Sequence, residues 1–231
     1  MEKIQNKNEK SVGNAIDITN TLRKSTDVYE QYYLGNGFGQ QTHAKSMNVL
    51  SRFFKNNGVS SVLDFYCGTG RNSFFLSKEG FDVHGFDRSK FALDIATQKQ
   101  KENKTDVKFN LFELEGKLPY ENSSFDAVII VRALYQAKMD TIRKNVEEIS
   151  RVTKSGGYVY MESIQHFKDW NSEEHRARVL ETEEKGTYQY KDNGSYYHMF
   201  TKPEIKELFS DFKTIRFYFR NGHFYVLFQK P

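Results

Sequence analysis

Between residues 58 and 163 short apolar runs alternate with amphipathic stretches, and this alternation constrains the fold more than any other feature of the chain. Ser61–Phe65 (SVLDF), Asp82–Phe86 (DVHGF), Val107–Phe112, Asp126–Val131 (DAVIIV) and Tyr158–Ser163 (YVYMES) predict strands. The run DAVIIV is apolar on both faces, as a central strand of a parallel sheet must be. Ala44–Asn56, Asn72–Glu79, Ser89–Asn103 and Ile142–Val152 predict helices, with Met47, Leu50, Phe53 and Phe54 at helical spacing in the first and Ser89 as N-cap of the third. Strands and helices in strict alternation form crossover units and hence a parallel sheet. Lys154–Gly157 predicts a turn, and Glu204–Phe209 a late helix. Phe212–Arg220 and His223–Gln229 are aromatic, β-rich runs, and Asn221-Gly222 between them is a hairpin signal.

The expected fold is therefore one α/β domain, doubly wound, with a mostly parallel sheet, a C-terminal antiparallel hairpin and a small lid insertion. Its parts are an N-terminal arm (1–43), a core (44–163), an insertion (164–200) and a final helix and hairpin (201–231). The 231 residues suit a single domain, and 20 Phe with 14 Tyr supply a large core. A net charge of +4, from 34 basic and 30 acidic residues, is too weak a bias to argue for nucleic acid, and Lys99–Lys108 is only a weakly basic segment. One cysteine, Cys67, excludes an internal disulfide within the chain. Met1–Lys10 is polar, and no apolar run approaches the roughly 20 residues of a membrane span. The expectation is a cytoplasmic protein away from membranes, monomer or homodimer, without a metal because metal ligands do not cluster.

The chemistry centres on Asp64-Phe65-Tyr66-Cys67-Gly68-Thr69-Gly70, a loop between a strand and a helix. Such a loop brings backbone N–H groups and a helix N-terminus to the carboxyl end of the sheet, and glycine lets a ligand approach the backbone. Seventeen residues past Gly70, directly after the second strand, stands Asp87, where a carboxylate accepts both hydrogen bonds of a ribose diol. The plainer alternative is that Asp64 caps a helix and Asp87 starts one. The loop lacks the Lys-Ser/Thr of a nucleoside-triphosphate loop and the third glycine of the dinucleotide fingerprint.

These residues resemble the cofactor motifs of class I, Rossmann-like S-adenosylmethionine-dependent methyltransferases. Asp64, Gly68 and Gly70 match the family's first motif, while Tyr66 stands where most members have their first glycine and some carry an aromatic residue. Val83–Ser89 resembles the second motif, Leu118–Asp126 the stretch before the fourth strand, and Ile149–Gly157 the segment that follows the next helix. The resemblance implies a site for S-adenosylmethionine, and for its product S-adenosylhomocysteine, formed by Asp64, Tyr66, Cys67, Gly68, Gly70, Asp87, Arg88, Phe112, Glu113 and Val131. Glu113 would accept from the adenine amino group. Glu115 is the alternative there, and a solvated loop glutamate is the other reading. RNA pyrimidine methyltransferases with an aromatic-Cys-Gly loop use a second, nucleophilic cysteine, which this chain lacks.

The acceptor should lie near the end of the fourth strand, by Arg132 and Tyr135. Arg132 either anchors an anionic substrate or pairs with an acid. Tyr33 in the N-terminal arm, and Tyr190 and Tyr197 in the insertion, are candidate substrate contacts. The alternating aromatics around Asn193-Gly194 predict a hairpin lid. Methyl transfer needs alignment more than an acid or base. Tyr135 and His198 are the candidate catalytic side chains, His198 as base or as a structural residue at a strand end. The resemblance is nearest to small-molecule methyltransferases of the tellurite-resistance-like, type 11 group, with His-x-Phe-Thr before the late helix, and implies a small-molecule acceptor. A methyltransferase acting on RNA or protein, and a non-catalytic cofactor-binding protein, are the alternatives.

Overall fold

The computed structural model describes residues 44–112, 117–164 and 172–231. Tyr33 and the rest of the N-terminal arm, and Glu113 and Glu115, lie outside the described residues. The chain runs α1 (Met47–Asn56), β1 (Ser61–Phe65), α2 (Arg71–Lys78), β2 (Asp82–Asp87), α3 (Lys90–Asn103), β3 (Val107–Leu111), β4 (Phe125–Val131), α4 (Met139–Val152) and β5 (Thr153–Ile164). It continues with α5 (Glu173–Arg178), β6 (Val179–Glu181), β7 (Thr187–Tyr190), β8 (Tyr196–His198), α6 (Lys202–Leu208), β9 (Lys213–Arg220) and β10 (His223–Gln229).

Seven strands form one sheet in the order β3-β2-β1-β4-β5-β10-β9. β1 pairs in parallel with β2 and β4, β2 with β3, and β4 with β5, whereas β10 runs antiparallel to both β5 and β9. The order reverses between β1 and β4, and that crevice is where ligands bind in doubly wound sheets. Alternate residues of each strand feed opposite faces. Phe65, Phe86, Ile130, Met161 and Phe228 pack into one core with Ile142, Ile149 and Ile205 of α4 and α6. Val62, Val83 and Ile129 pack into the other with Met47, Leu50 and Phe54 of α1. Ser89 caps α3 as expected, its hydroxyl accepting from Ala92 N at 3.1 Å.

Two local expectations are corrected. Lys154–Gly157 is the start of β5, not a turn. Gly156 takes φ +76°, its N–H bonds Lys230 O at 2.9 Å, and the β4–β5 register shifts between Phe125 and Ala127, so the glycines absorb an irregularity within the strand. The insertion is more than a hairpin: β6 joins β7 and β8 in a second, antiparallel sheet, preceded by the one-and-a-half turns of α5. This small sheet is fixed to the main body. His198 N donates to Tyr135 O at 2.7 Å, and Tyr197 and Phe200 belong to the main core. The chain then enters α6 through a capping box of Thr201 and Glu204.

Candidate active site

The carboxyl end of β1 passes into a loop that only particular residues can follow. Tyr66 sits at φ +58° and Gly68 at +57°, both left-handed, before Gly70 at +80° opens α2. Glycine takes such a conformation without cost, whereas Tyr66 takes it with a full side chain. Its ring stays there by packing edge-on against Phe65 at 5.0 Å and tilted against Phe86 at 5.3 Å. The phenol faces Asn145 of α4 without closing a hydrogen bond of ordinary geometry, and burial first of all holds its proton on. Gly70 is required for space as well as for φ, because a Cβ there would meet the rings of Phe109 and Phe74 at 2.9 Å.

Asp64 lies beneath the loop, 1% exposed, and accepts from Ser73 Oγ at 2.6 Å and from the Ser73 backbone. It therefore does cap α2, at the third helical N–H, rather than reaching out of the sheet. Burial pushes its carboxyl up to about 6, against the bonds from Ser73 and the charge of Arg71, and with help from the charge of Asp87. Asp87 closes the loop from the other side: Oδ2 accepts from Gly68 N at 2.8 Å and Oδ1 from Ser89 N at 2.9 Å. Cys67 N donates to Phe86 O at 2.9 Å, and its thiol packs where a Cβ on Gly85 would approach within 2.9 Å. Burial, and then the nearby Asp64 and Asp87, hold the Cys67 thiol well above its ordinary value, so it is no nucleophile.

Phe112 follows β3, half-buried, tied by its N–H to Asp87 O at 3.1 Å. Arg88 is half-buried directly after Asp87, and Val131 ends β4, 8% exposed. The fold thus gathers Tyr66, Cys67, Gly68, Gly70, Asp87, Arg88, Phe112 and Val131 at the carboxyl ends of four adjacent strands, with Asp64 supporting them. The N-cap of α2, Gly70, offers no side-chain acceptor to the first turn of that helix. A loop with glycine backbone, a helix N-terminus and an acid at the next strand end fit an adenosyl cofactor with a polar tail.

The expected substrate side divides. Arg132 does pair with an acid: its Nε lies 2.7 Å from Glu162 Oε1. Tyr197 is 3% exposed, stacked on Tyr188 at 5.5 Å, with its hydroxyl 3.3 Å from His175 Nε2, and so is a packing residue. Tyr190 is half-buried against it at 4.9 Å. Tyr135 is 8% exposed within the core. His198, 1% exposed, places Nδ1 2.8 Å from Thr187 Oγ1 and Nε2 3.6 Å from Glu204 Oε1. Thr187 Oγ1 donates to Glu184 Oε2 at 2.5 Å, so it accepts from His198 Nδ1–H. Burial lowers the His198 pKa, opposed by Glu204 and Glu184, and a neutral, enclosed ring of this kind is a structural residue.

Sequence reasoning missed Ser73, Gly85, Glu162 and His223. Glu162 did carry a signal: it is a carboxylate inside an apolar strand, which demands a buried partner. A separate groove between α4 and α6, rimmed by Glu147, Glu204, Glu207 and Asp211, shares none of the loop residues. Among the described residues no group of three or more His, Cys, Asp or Glu is placed to hold a metal ion, and no helix is long and apolar enough to cross a membrane.

Comparison with known proteins bears on the family and the fold. The profile of the methyltransferase domain family matches residues 55–210, more than half of the chain. The chain belongs to that family, and its class is the S-adenosylmethionine-dependent methyltransferases of class I, Rossmann-like fold. A tRNA (uracil(54)-C(5))-methyltransferase of Pyrococcus horikoshii is 33% identical over 95 residues, 41% of this chain and 23% of that protein. A probable S-adenosyl-L-methionine-dependent methyltransferase TehB of Haemophilus influenzae is 29% identical over 98 residues, 42% of this chain and 33% of that protein. The chain thus spans a third or less of these two relatives. The crystal structure of Burkholderia thailandensis 1,6-didemethyltoxoflavin-N1-methyltransferase, with bound 1,6-didemethyltoxoflavin and S-adenosylhomocysteine, superimposes with a TM-score of 0.65 at 15% identity, over 92% of this chain and 88% of that one.

Proposed function

We propose that the protein transfers a methyl group from S-adenosylmethionine to a small-molecule acceptor in the cytoplasm. Bound there, the sulfonium supplies the activated methyl group, so the chain's task is to bind, orient and exclude water. Asp87 is the residue to hold the ribose hydroxyls, and it fixes the Gly68 N–H at the same time. Phe112 offers a face to the adenine, and the first turn of α2 offers N–H groups to the polar tail of the cofactor. Tyr66 narrows the space beside that tail, because a ring stands where similar chains have a hydrogen atom.

The observation that carries the acceptor class is the β6–β8 sheet. Its Tyr197 carries Tyr188 stacked and Tyr190 tilted against it, the three pack on the main core, and the tie to Tyr135 O stands beside the carboxyl end of β4. An aromatic wall fixed at that point suits a compact acceptor kept from water. A tRNA substrate is the second reading, favoured by the Pyrococcus relative. Against C5-uracil chemistry stand the single, buried Cys67 and the near-balance of 34 basic and 30 acidic residues.

The test is to incubate the protein with methyl-labelled S-adenosylmethionine and a cell extract split into small-molecule, RNA and protein fractions. Label in the small-molecule fraction supports the reading, and label confined to RNA overturns it.

A further inference from the structure

We propose that Arg132, steadied by Glu162 and flanked by His223, binds a carboxylate or similar planar anion on the methyl acceptor, an inference that rests on the small-molecule reading above. Arg132 directly follows β4 with φ +58°, a left-handed conformation that a long L side chain seldom adopts. Two bonds to one residue hold it there: Arg132 N donates to Glu162 O at 2.7 Å, and Nε to Glu162 Oε1, also at 2.7 Å. Glu162 is 2% exposed, and its second oxygen accepts from Ser46 Oγ at 2.9 Å. Both carboxylate oxygens are therefore engaged, and the guanidinium plane is set by the protein before any ligand arrives.

An ion pair alone would account for the Nε contact. It does not account for the rest of the guanidinium. The Arg132 side chain is 43% exposed, and among the described residues neither Nη atom has a hydrogen-bond partner. A planar fork with its free nitrogens toward solvent matches the geometry of a carboxylate.

The neighbours add to the same picture. Tyr225 pairs with Glu162 across β10 and β5, so His223, two residues earlier, lies on the same face of the sheet. His223 Nδ1 is buried and without a partner among the described residues. Burial first, and then the Arg132 charge, lower the His223 pKa, with Glu162 opposing, so the ring is a neutral hydrogen-bonding group and the positive charge is supplied by arginine. Arg220 of β9 pairs with His223 across the strands and adds a second cation, while Ser46 is the contribution of α1 and Tyr225 that of β10. One buried acid, already satisfied, thus faces Arg132, and Arg220 stands exposed one strand further out. The cluster stands at the end of β4, the strand that pairs with β1 through Asp64 and Ile129, beside the cofactor loop. An acceptor held there by its anionic group would be fixed next to the transferable methyl, which is the orientation such a displacement requires.

The probes are benzoate and its uncharged isostere benzamide, titrated into protein saturated with S-adenosylhomocysteine and followed by NMR at the Arg132 Nε–H and His223 ring signals. Benzoate is expected to shift both signals, and benzamide neither. Arg132→Gln should weaken the benzoate response by about tenfold or more, leaving S-adenosylhomocysteine affinity within about twofold. Arg132→Lys keeps a cation beside Glu162, which guards against unfolding, and should still weaken the response by about fivefold because the fork is gone. Equal responses to both probes, no response to benzoate, or a response unchanged in both variants overturns the proposal. Filter binding of tRNA to the same proteins separates the two readings. Arg132-dependent tRNA binding without a benzoate response overturns the small-molecule acceptor as well, whereas no response to either ligand overturns the anion site alone.

Discussion

At the amino ends of the strands, Asp126 accepts from the backbone N–H and the hydroxyl of both Ser60 and Ser61 and from Lys154 Nζ, at distances of 2.7–3.0 Å. At the carboxyl ends of the same sheet, Asp64 lies 1% exposed with Ser73 as its donor, between a left-handed Tyr66 and the charge of Asp87. The two acids shift in opposite directions. Burial works against ionisation of Asp126, but the bonds from Lys154, Ser61 and Ser60 prevail and hold its carboxyl below the usual range. Burial prevails at Asp64 and raises it to about 6. One end of the sheet is saturated and rigid. The other carries strain and an acid whose charge is disfavoured by burial, as is expected where a ligand completes the structure.

The largest effect that would sharpen this contrast is at Gly70. Gly70→Val combines a positive φ with contacts of 2.9 Å to Phe74 and Phe109, so S-adenosylhomocysteine binding should weaken by about 100-fold or more in calorimetry. Binding within a few-fold of wild type would remove the loop from the site. Next, Asp126→Ala should lower unfolding free energy in urea by about 3 kcal/mol, from the loss of charged hydrogen bonds, yet leave cofactor affinity unchanged. An equal loss of affinity would show that the two ends are not separable.

The third test is pH. Asp126 has a depressed pKa in the folded state, so its stabilisation is present above the ordinary carboxylate range and is lost as pH falls through and below that range. Asp64 is raised from 3.8 to about 6, so its contribution is intact below 3.8 and is lost as pH rises through about 6. Asp64→Asn should therefore flatten a fall in stability across that window, of up to about 3 kcal/mol. A wild-type and variant pair with parallel pH profiles would contradict the assignment. The smallest effect is expected at Gly156, which has φ +76° and nothing within 4 Å of a Cβ. Gly156→Ala should cost about 1 kcal/mol, with cofactor binding unaltered.

Much of this arrangement was legible in the chain itself. The apolar runs SVLDF, DVHGF and DAVIIV marked β1, β2 and β4, because buried parallel strands need side chains that suit both faces. Asn221-Gly222 marked the β9–β10 hairpin, with both residues at positive φ. α5 and β6 were missed because EEHRAR and VLE are too short and too exposed to show periodicity. Gly156-Gly157 resembles a turn, and only pairing with the distant Lys230 makes it part of a strand. The loop and Asp87 were visible as a motif, whereas the Arg132–Glu162 pair joins residues 30 apart and the β10 neighbour His223 joins them only through the sheet. Tyr197 looked like a substrate contact because aromatic alternation signals a strand without saying which face is buried, whereas the structural alternative for His198 matches its enclosed position.

The central claim is that the carboxyl end of β2 holds the ribose of the cofactor through Asp87. Calorimetric titration of S-adenosylhomocysteine into wild type, Asp87→Ala and Asp126→Ala tests it most directly, with circular dichroism to confirm the fold. Each lost charge-assisted bond is worth about 1.5–3 kcal/mol, so Asp87→Ala should raise the dissociation constant by about tenfold or more, while folded Asp126→Ala stays at the wild-type value. An unchanged dissociation constant in folded Asp87→Ala would contradict the account.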